Sequence, residues 1–311
     1  MDKYLKPVSL YMQSDYYEKW DLWLEEVKSF PKKIDIISKE KTTYGKKIEF
    51  YFDSLGDAKI YASLFLNEAT NKKAPLIVLY HGLGAVIQTA GYQEILSYWL
   101  NEGYSVLGMD SRLQGGKSID NNQYEYKEYG LSAYNVHDES IYYSKYLFQD
   151  ALMLLELINE FKELDNKPIY VTGGSKGAEL ALFASSKSNK VALCLADIPS
   201  GCYLVGRVEG SYGNYAGLNK LLRDKPILEK QIFKTLSYFD IVHLAREINC
   251  PVLASVGSID QVCPPEFFYQ AYRQIPAYKE FIKYDGYGHG GYDKEHMVKK
   301  FEFIKKYESK L

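Results

Sequence analysis

The sequence predicts an α/β fold: a mostly parallel, doubly wound sheet with helices on both faces and an N-terminal antiparallel edge. Helical patterns separate short apolar runs, and strands that alternate with helices are typical of a doubly wound sheet. Each run ends in small or polar residues, and a parallel sheet covered on both faces requires such short apolar strands. The runs are Leu76–Tyr80, Val106–Met109, Ile169–Thr172, Val191–Ala196 and Val252–Val256.

The flanking segments complete this pattern. Residues 16–28 carry apolar side chains at helical spacing, which predicts an amphipathic helix. Lys47–Phe52 and Ile60–Asn67 are predicted strands joined across Gly56, and they would form the antiparallel edge. The clearest helical pattern runs from about residue 140 to residue 164. A last apolar stripe predicts a C-terminal helix that includes Met297, Phe301 and Ile304.

Length and composition narrow the classes of protein that fit. The 311 residues are expected to form one domain, 1–311, with a helical extension over about 1–30 and insertions near 117–139 and 200–238. The 38 basic and 40 acidic residues argue against a nucleic-acid partner. Tyrosine is unusually frequent, with 30 residues. Seven of these tyrosines lie between residues 124 and 146, which predicts an enrichment at a pocket mouth or a subunit interface.

The cysteines and the N-terminus favour a cytoplasmic protein without a membrane span. Four cysteines show no CxxC spacing and are expected to be free thiols. Met1–Lys19 has no apolar core of a signal peptide. The charge-free stretch Ala74–Gln93 contains proline and glycines, so it is predicted to be a strand and a loop.

A serine nucleophile is predicted from residues 173–177, GGSKG, which lie between a predicted strand and a helical pattern. This is the GxSxG pattern in the context of a nucleophile elbow, the tight turn that holds the serine of α/β hydrolases in strained backbone geometry. Gly173 and Gly177 are needed because side chains at these positions would collide. A Gly-Ser turn that caps a helix is the alternative. We therefore predict Ser175 as the nucleophile of an α/β-hydrolase fold.

Such a serine needs a base and an acid that orients the base. In α/β hydrolases they follow in the order serine, acid, histidine. Asp260 and His289 fit this order, and each follows a predicted strand. Four other histidines precede the serine, precede the acid or fall within the last helix: His81, His137, His243 and His296. A zinc site made by His289, Asp293 and His296 is a weaker alternative, because no matching spacing completes it.

Two backbone N–H groups should hold the oxyanion. The residue after the nucleophile, Lys176, supplies one, and the loop after an early strand supplies the other. Residues 80–84, YHGLG, form that loop and make the Leu83 N–H the expected second donor. A plain glycine turn is the alternative.

Several longer segments carry a family resemblance. Residues 234–240 (KTLSYFD) are similar to a TLSYFD segment, and residues 255–265 (SVGSIDQVCPP) to an SVGxxDxxCPP segment that holds the acid. Residues 110–116 resemble a DxRGQG motif, and residues 197–199 resemble a DVP turn. With the helix around Trp20, these segments make the chain resemble carbohydrate esterase family 7, the acetyl xylan esterases and cephalosporin-C deacetylases, over nearly its whole length.

The resemblance implies an α/β-hydrolase fold and removal of acetyl groups from small sugars, xylo-oligosaccharides and cephalosporin C. Ser175, Asp260 and His289 match the family's triad positions, and Leu83 and Lys176 match its oxyanion positions. The implied partner is a small acetylated substrate, with no metal or organic cofactor. The family forms a hexamer, and residues 117–139 are shorter than the insertion that helps to build it. By this resemblance the expected assembly is a homo-oligomer, with the hexamer as the family's form.

Three positions depart from the family pattern. Arg112 and Gln114 match two structural positions of an RGQ motif, but Leu113 replaces its glycine, so the backbone there should be altered or have ordinary torsions. Lys176 replaces a glutamine and adds a cation beside the elbow, which predicts a preference for anionic substrates. Gly290 replaces a glutamate after the histidine and removes a carboxylate.

Two other functions fit parts of the pattern. A prolyl-oligopeptidase-like peptidase shares the elbow and the order of the triad, but 311 residues leave no room for its propeller domain. A non-catalytic binding protein would explain the departures, whereas the intact triad positions argue against it.

Overall fold

A ten-stranded mixed sheet organises the computed structural model, which describes residues 11–68, 74–290 and 294–308. Its order is β1-β2-β3-β5-β4-β7-β8-β9-β10, with the short β6 beside β3. β1, β2, β3 and β5 pair antiparallel, and the strands from β5 to β10 along this order pair parallel. The strands are β1 (Ile34–Thr42), β2 (Gly45–Ser54), β3 (Ala58–Asn67), β4 (Leu76–Tyr80), β5 (Ser105–Met109), β6 (Ile119–Asp120), β7 (Ile169–Gly174), β8 (Val191–Asp197), β9 (Val252–Gly257) and β10 (Lys279–Tyr284).

Helices cover both faces of the sheet. They are α1 (Tyr16–Ser29), α2 (Ala90–Asn101), α3 (Tyr143–Glu156), α4 (Lys176–Lys187), α5 (Leu204–Glu209), α6 (Ala216–Asp224), α7 (Glu229–Phe239), α8 (Ile241–Leu244), α9 (Pro265–Gln274) and α10 (Lys294–Glu308). Within the described ranges, no helix is long and apolar enough to cross a membrane.

The central strand β4 shows why the sheet is buried on both sides. Its five residues are all buried, and they alternate between two apolar cores. Leu76, Val78 and Tyr80 pack with α1, α3 and α4, whereas Ile77 and Leu79 pack with α2 and α10. Successive side chains of a strand point to opposite faces, so a covered strand must be apolar throughout. The predicted doubly wound α/β-hydrolase fold is confirmed.

Two elements of the structure differ from the prediction, a strand that was not predicted and a helix that ends early. β1 was not predicted, because most of its side chains are exposed, several of them are charged, and they give no apolar alternation. The helix predicted over residues 140–164 ends at Glu156 and continues as two 3₁₀ turns, Leu157–Glu160 and Lys162–Leu164. The buried side chains continue through these turns, so the apolar pattern outlasts the α-helix.

The two predicted insertions pack against each other. The Ser132 hydroxyl donates to the carbonyl of Asn214 at 2.6 Å, and the Tyr129 hydroxyl donates to Asp224 at 2.9 Å. Tyr124 and Tyr143 lie in the core, edge to face with each other. The tyrosines of residues 124–146 pack in and around the core and line neither cavity beside Ser175, so they do not surround either one. The alternative, an enrichment at a subunit interface, stays a prediction.

Candidate active site

The nucleophile elbow forms where β7 passes directly into α4. Ser175 has φ 55° and ψ −114°, a strained conformation for a residue with a side chain. A side chain at Gly173 would come within 2.6 Å of the Tyr80 carbonyl oxygen, and one at Gly177 would collide with the same atom. Both glycines are therefore required where β7 and α4 pass so close to β4.

Ser175, His289 and Asp260 form a continuous chain of hydrogen bonds. The Ser175 Oγ lies 3.1 Å from His289 Nε2, and His289 Nδ1 lies 2.8 Å from Asp260 Oδ2. The other carboxylate oxygen of Asp260 accepts the N–H groups of Val262 and Cys263 at 2.7 and 2.8 Å. Asp260 is buried, while the His289 side chain is 29% exposed. The structure thus brings together three residues that are 114 and 29 positions apart in the sequence.

The surroundings of His289 favour its charged form. Burial acts to lower the pKa of the imidazole, but the hydrogen bond to Asp260 and the contact with Cys263 outweigh it and raise the pKa to about 9. A histidine acts as a base only when it is neutral, so proton transfer from Ser175 is favoured as pH rises.

Leu83 and Lys176 lie on the two backbone segments that flank the Ser175 side chain. Lys176 begins α4, so its N–H belongs to the unpaired first turn of a helix. Gly82 packs against the elbow, because a Cβ built there would lie 3.9 Å from the Cβ of Ser175. Within the described ranges, neither the Leu83 nor the Lys176 N–H has an acceptor. Both groups are available to an oxyanion.

His81 holds the Leu83 loop in place, a role that sequence order alone did not indicate. Its Nε2 accepts the N–H of Ser111 at 2.8 Å, which leaves Nδ1 to donate to the Gly82 carbonyl at 2.7 Å. Burial lowers the pKa of His81, in keeping with a neutral ring. The signal in the sequence was the His-Gly pair directly after β4.

The Lys176 side chain pairs with a carboxylate of its own helix. Its ammonium group bonds to Glu179 Oε1 at 2.5 Å, and both side chains are buried. Because Glu179 neutralises this charge, the predicted effect of Lys176 on anionic substrates loses its basis.

Arg112 and Gln114 hold the segment after β5 in place through contacts with α3. The buried Arg112 guanidinium binds both oxygens of Asp150, at 2.6 and 2.7 Å, and Gln114 donates to Tyr143 at 3.0 Å. Leu113 has φ 59°, in the left-handed region that favours glycine. The expectation of ordinary torsions at Leu113 is therefore wrong, because the bracing residues keep the backbone that a glycine would adopt.

Two cavities open on either side of Ser175. The larger, about 460 Å³, lies between the Leu83 loop and α2, and Asp197 and Lys300 line it. His296 binds Asp197 at 2.6 Å, and Lys300 pairs with the same carboxylate. Sequence reasoning missed this buried cluster, since it placed His296 in the last helix or in the weaker zinc alternative and not beside Asp197.

The smaller cavity, about 230 Å³, is lined by Ser175, His289, Arg207 and Cys263 among others. The Cys263 sulfur lies 3.9 Å from Ser175 Oγ. All four cysteines are buried and free, as predicted.

The described residues offer one cluster with the spacing of metal ligands: Asp260, Cys263 and His289. Two of its members belong to the hydrogen-bond chain from Ser175. In the alternative zinc site, Asp293 lies outside the described residues, and His296 bonds to Asp197 and Tyr284. Gly290 faces open space, so no side chain at that position supports His289.

Solved structures of acetyl xylan esterases are similar to this chain over nearly its whole length. An acetyl xylan esterase from Paenibacillus sp. R4 superposes with a TM-score of 0.87 at 25% identity, over 98% of this chain and 97% of that one. Acetyl xylan esterase 1 from Thermoanaerobacterium sp. JW/SL YS485 gives a TM-score of 0.82 at 25% identity, over 94% of each chain.

An acetyl esterase of Xylanibacter ruminicola is 30% identical over 155 residues, which is 50% of this chain and 35% of that enzyme. The chain thus spans about a third of the length of that curated relative. The family model for acetyl xylan esterases (AXE1) matches residues 3–307. On this match over nearly its whole length, the chain belongs to the acetyl xylan esterase family.

Proposed function

We propose that this chain is a serine carboxylic-ester hydrolase that removes acetyl groups from small acetylated substrates, acetylated xylo-oligosaccharides among them. The hydrogen-bond chain from Ser175 through His289 to Asp260 carries the proposal, because it supplies a nucleophile, a base and an orienting acid. Membership of the acetyl xylan esterase family supports acetyl as the acyl group.

The mechanism follows from the geometry. Ser175 Oγ attacks the ester carbonyl while His289 Nε2 takes its proton, and the N–H groups of Leu83 and Lys176 hold the oxyanion. His289 then protonates the departing alcohol, which leaves an acetyl-serine. A water molecule, deprotonated by His289, attacks this ester and releases acetate. Asp260 keeps the imidazole in the tautomer that both steps need.

The test is hydrolysis of 4-nitrophenyl acetate by Ser175→Ala. We expect kcat/KM to fall by about 10⁴-fold or more, since the covalent route is lost. Ser29→Ala, at an exposed serine that ends α1, is the matched control. Activity that persists in Ser175→Ala would reject the assignment, and the control should keep the wild-type rate.

A fluorophosphonate probe separates an enzyme from a non-catalytic binding protein of the same fold. A competent Ser175 becomes covalently labelled in the wild type and remains unlabelled as alanine. An unlabelled wild-type protein that is folded by circular dichroism would favour the binding protein.

Cephalosporin C is a second substrate that we propose from the family resemblance. Four free cysteines support a cytoplasmic protein, and the balanced charge supports the expectation that it binds no nucleic acid. We propose a homo-oligomer, for which the 90% exposed Ile227 between α6 and α7 is a candidate contact. Light scattering tests this against the 35.8 kDa of one chain.

A further inference from the structure

Arg207, on α5, is a buried cation without a counter-ion. It is 1% exposed, and no carboxylate of the described residues lies within ion-pair distance of it. The other buried cations each have one: Arg112, Lys145, Lys176 and Lys300 pair with Asp150, Glu26, Glu179 and Asp197, respectively. A buried charge is costly unless it is paired. Arg207 therefore lacks a partner that its equivalents possess.

The contacts of Arg207 only partly satisfy its guanidinium group. Nη2 donates to the Val262 carbonyl at 2.8 Å and contacts the Cys263 sulfur at 3.8 Å, and the group lies 5.0 Å from the ring of Tyr215. Nε and Nη1 have no hydrogen-bond partner. A neutral carbonyl and an aromatic face do not supply the negative charge that an arginine fork recognises best.

Arg207 also lies beside the reacting atoms. It lines the smaller cavity together with Ser175 and His289, and Ser200 and Asn214 add polar groups to the wall. No acidic residue lines this cavity, whereas Asp197 lines the larger one. The smaller cavity therefore suits an anion, and its volume of about 230 Å³ suits a small one.

We propose that the smaller cavity is a carboxylate subsite, and that the preferred substrate is an acetyl ester whose alcohol part carries a carboxylate close to the ester. Arg207 binds this carboxylate and gains the counter-ion that the protein itself does not provide. The inference rests on the proposed function and adds a substrate class to it. In this proposal Arg207 recognises anionic substrates, and Lys176 does not, because Glu179 neutralises its charge.

The test compares 3-acetoxybenzoate with its methyl ester, which has the same ester but no charge. We expect wild-type kcat/KM to be about 10-fold to 100-fold higher for the acid, the range of a hydrogen bond between charged groups. In Arg207→Met, the ratio of kcat/KM for the acid to kcat/KM for the methyl ester should fall close to one. Arg207→Lys should restore part of this ratio. Arg223→Met removes the same charge from an exposed position of α6 and should leave the ratio unchanged.

A second measurement needs only the wild type, in case Arg207 variants do not fold. Benzoate should inhibit 4-nitrophenyl acetate hydrolysis at a concentration at least about 10-fold lower than benzamide does. Equal kcat/KM for the two esters, or equal inhibition by the two compounds, overturns the carboxylate subsite. Hydrolysis of the methyl ester would still leave the esterase function standing. If neither ester nor 4-nitrophenyl acetate is hydrolysed, the proposed function fails and the subsite fails with it.

Discussion

Ser175 and Leu113 both hold backbone conformations that side chains disfavour, and they do so for different reasons. Ser175 has φ 55° because the elbow must present its hydroxyl at the end of β7. Leu113 has φ 59° in a segment that Arg112 and Gln114 fix by hydrogen bonds, and its side chain is 39% exposed. Strain at Ser175 serves the proposed chemistry, whereas nothing in the structure explains a leucine at 113.

Leu113→Gly should therefore stabilise the protein. Relief of left-handed strain is worth about 1–2 kcal/mol, and the greater freedom of glycine in the unfolded chain offsets roughly 0.5–1 kcal/mol of it. We expect the free energy of unfolding in urea to rise by up to about 1 kcal/mol. Leu113→Ala keeps the Cβ and the strain, so it is the control. If Leu113→Ala raises the free energy of unfolding as much as Leu113→Gly does, relief of backbone strain at residue 113 is not the cause.

At the same scale, one residue, His289, is expected to set the pH dependence of activity. Because the pKa of His289 is raised to about 9, kcat/KM for 4-nitrophenyl acetate should rise with pH and reach half its plateau near that value. Cys263→Ala removes one contact that raises this pKa and should move the midpoint to lower pH. Cys250→Ala removes a buried thiol elsewhere and should leave it in place. A midpoint that is the same in all three proteins would contradict this role of Cys263.

At the scale of elements, the parallel strands gather the site. β4, β7, β9 and β10 end at one edge of the sheet, and the loops that follow carry Leu83, Ser175, Asp260 and His289. This placement was predictable, because the chemistry of such sheets lies beyond the carboxyl ends of their strands. The bounds of β1 and α3 were less predictable, since exposed edge strands and 3₁₀ continuations leave weak patterns.

The N-terminal helix α1 is an element that tertiary packing stabilises. Trp20 donates its indole N–H to the Tyr238 carbonyl at 2.9 Å and packs against Phe183 and Phe239. Trp20→Ala should lower the free energy of unfolding by about 3–5 kcal/mol, the usual cost of emptying such a site. Leu22→Ala, at a 58% exposed position of the same helix, should change it by less than about 0.5 kcal/mol. A loss at Trp20 no larger than at Leu22 would mean that α1 is not anchored there.

At the scale of the whole molecule, the raised pKa of His289 makes the free energy of unfolding depend on pH. The folded pKa of His289, about 9, lies above its ordinary value of 6.5, so folding favours the protonated form. This contribution to stability is fully present below pH 6.5 and is lost as pH rises through about 9.

Urea unfolding of the wild type and His289→Gln at pH 6 and pH 9.5 measures this contribution. The wild type should lose about 2 kcal/mol more than the variant between these two values, as an order of magnitude. A parallel pH dependence of the two proteins would show that His289 does not couple to folding.

The sequence by itself determined the fold class, the family and the candidates for nucleophile, base and acid. GGSKG between a strand and a helix, and the order Ser175, Asp260, His289, are local patterns that chain order preserves. The family was predicted from longer segments, residues 234–240 and 255–265 among them, and the family model confirms it.

Only the tertiary structure decided where the charges of the site are balanced. Lys176 follows Ser175 directly in the sequence, yet Glu179 neutralises its charge. Arg207 is 32 residues beyond Ser175, and it lines the smaller cavity beside that serine without a counter-ion among the described residues. The direction of a side chain and its counter-ion depend on which elements pack together. Sequence spacing does not encode that packing, so the placement of these charges could be seen only in the fold.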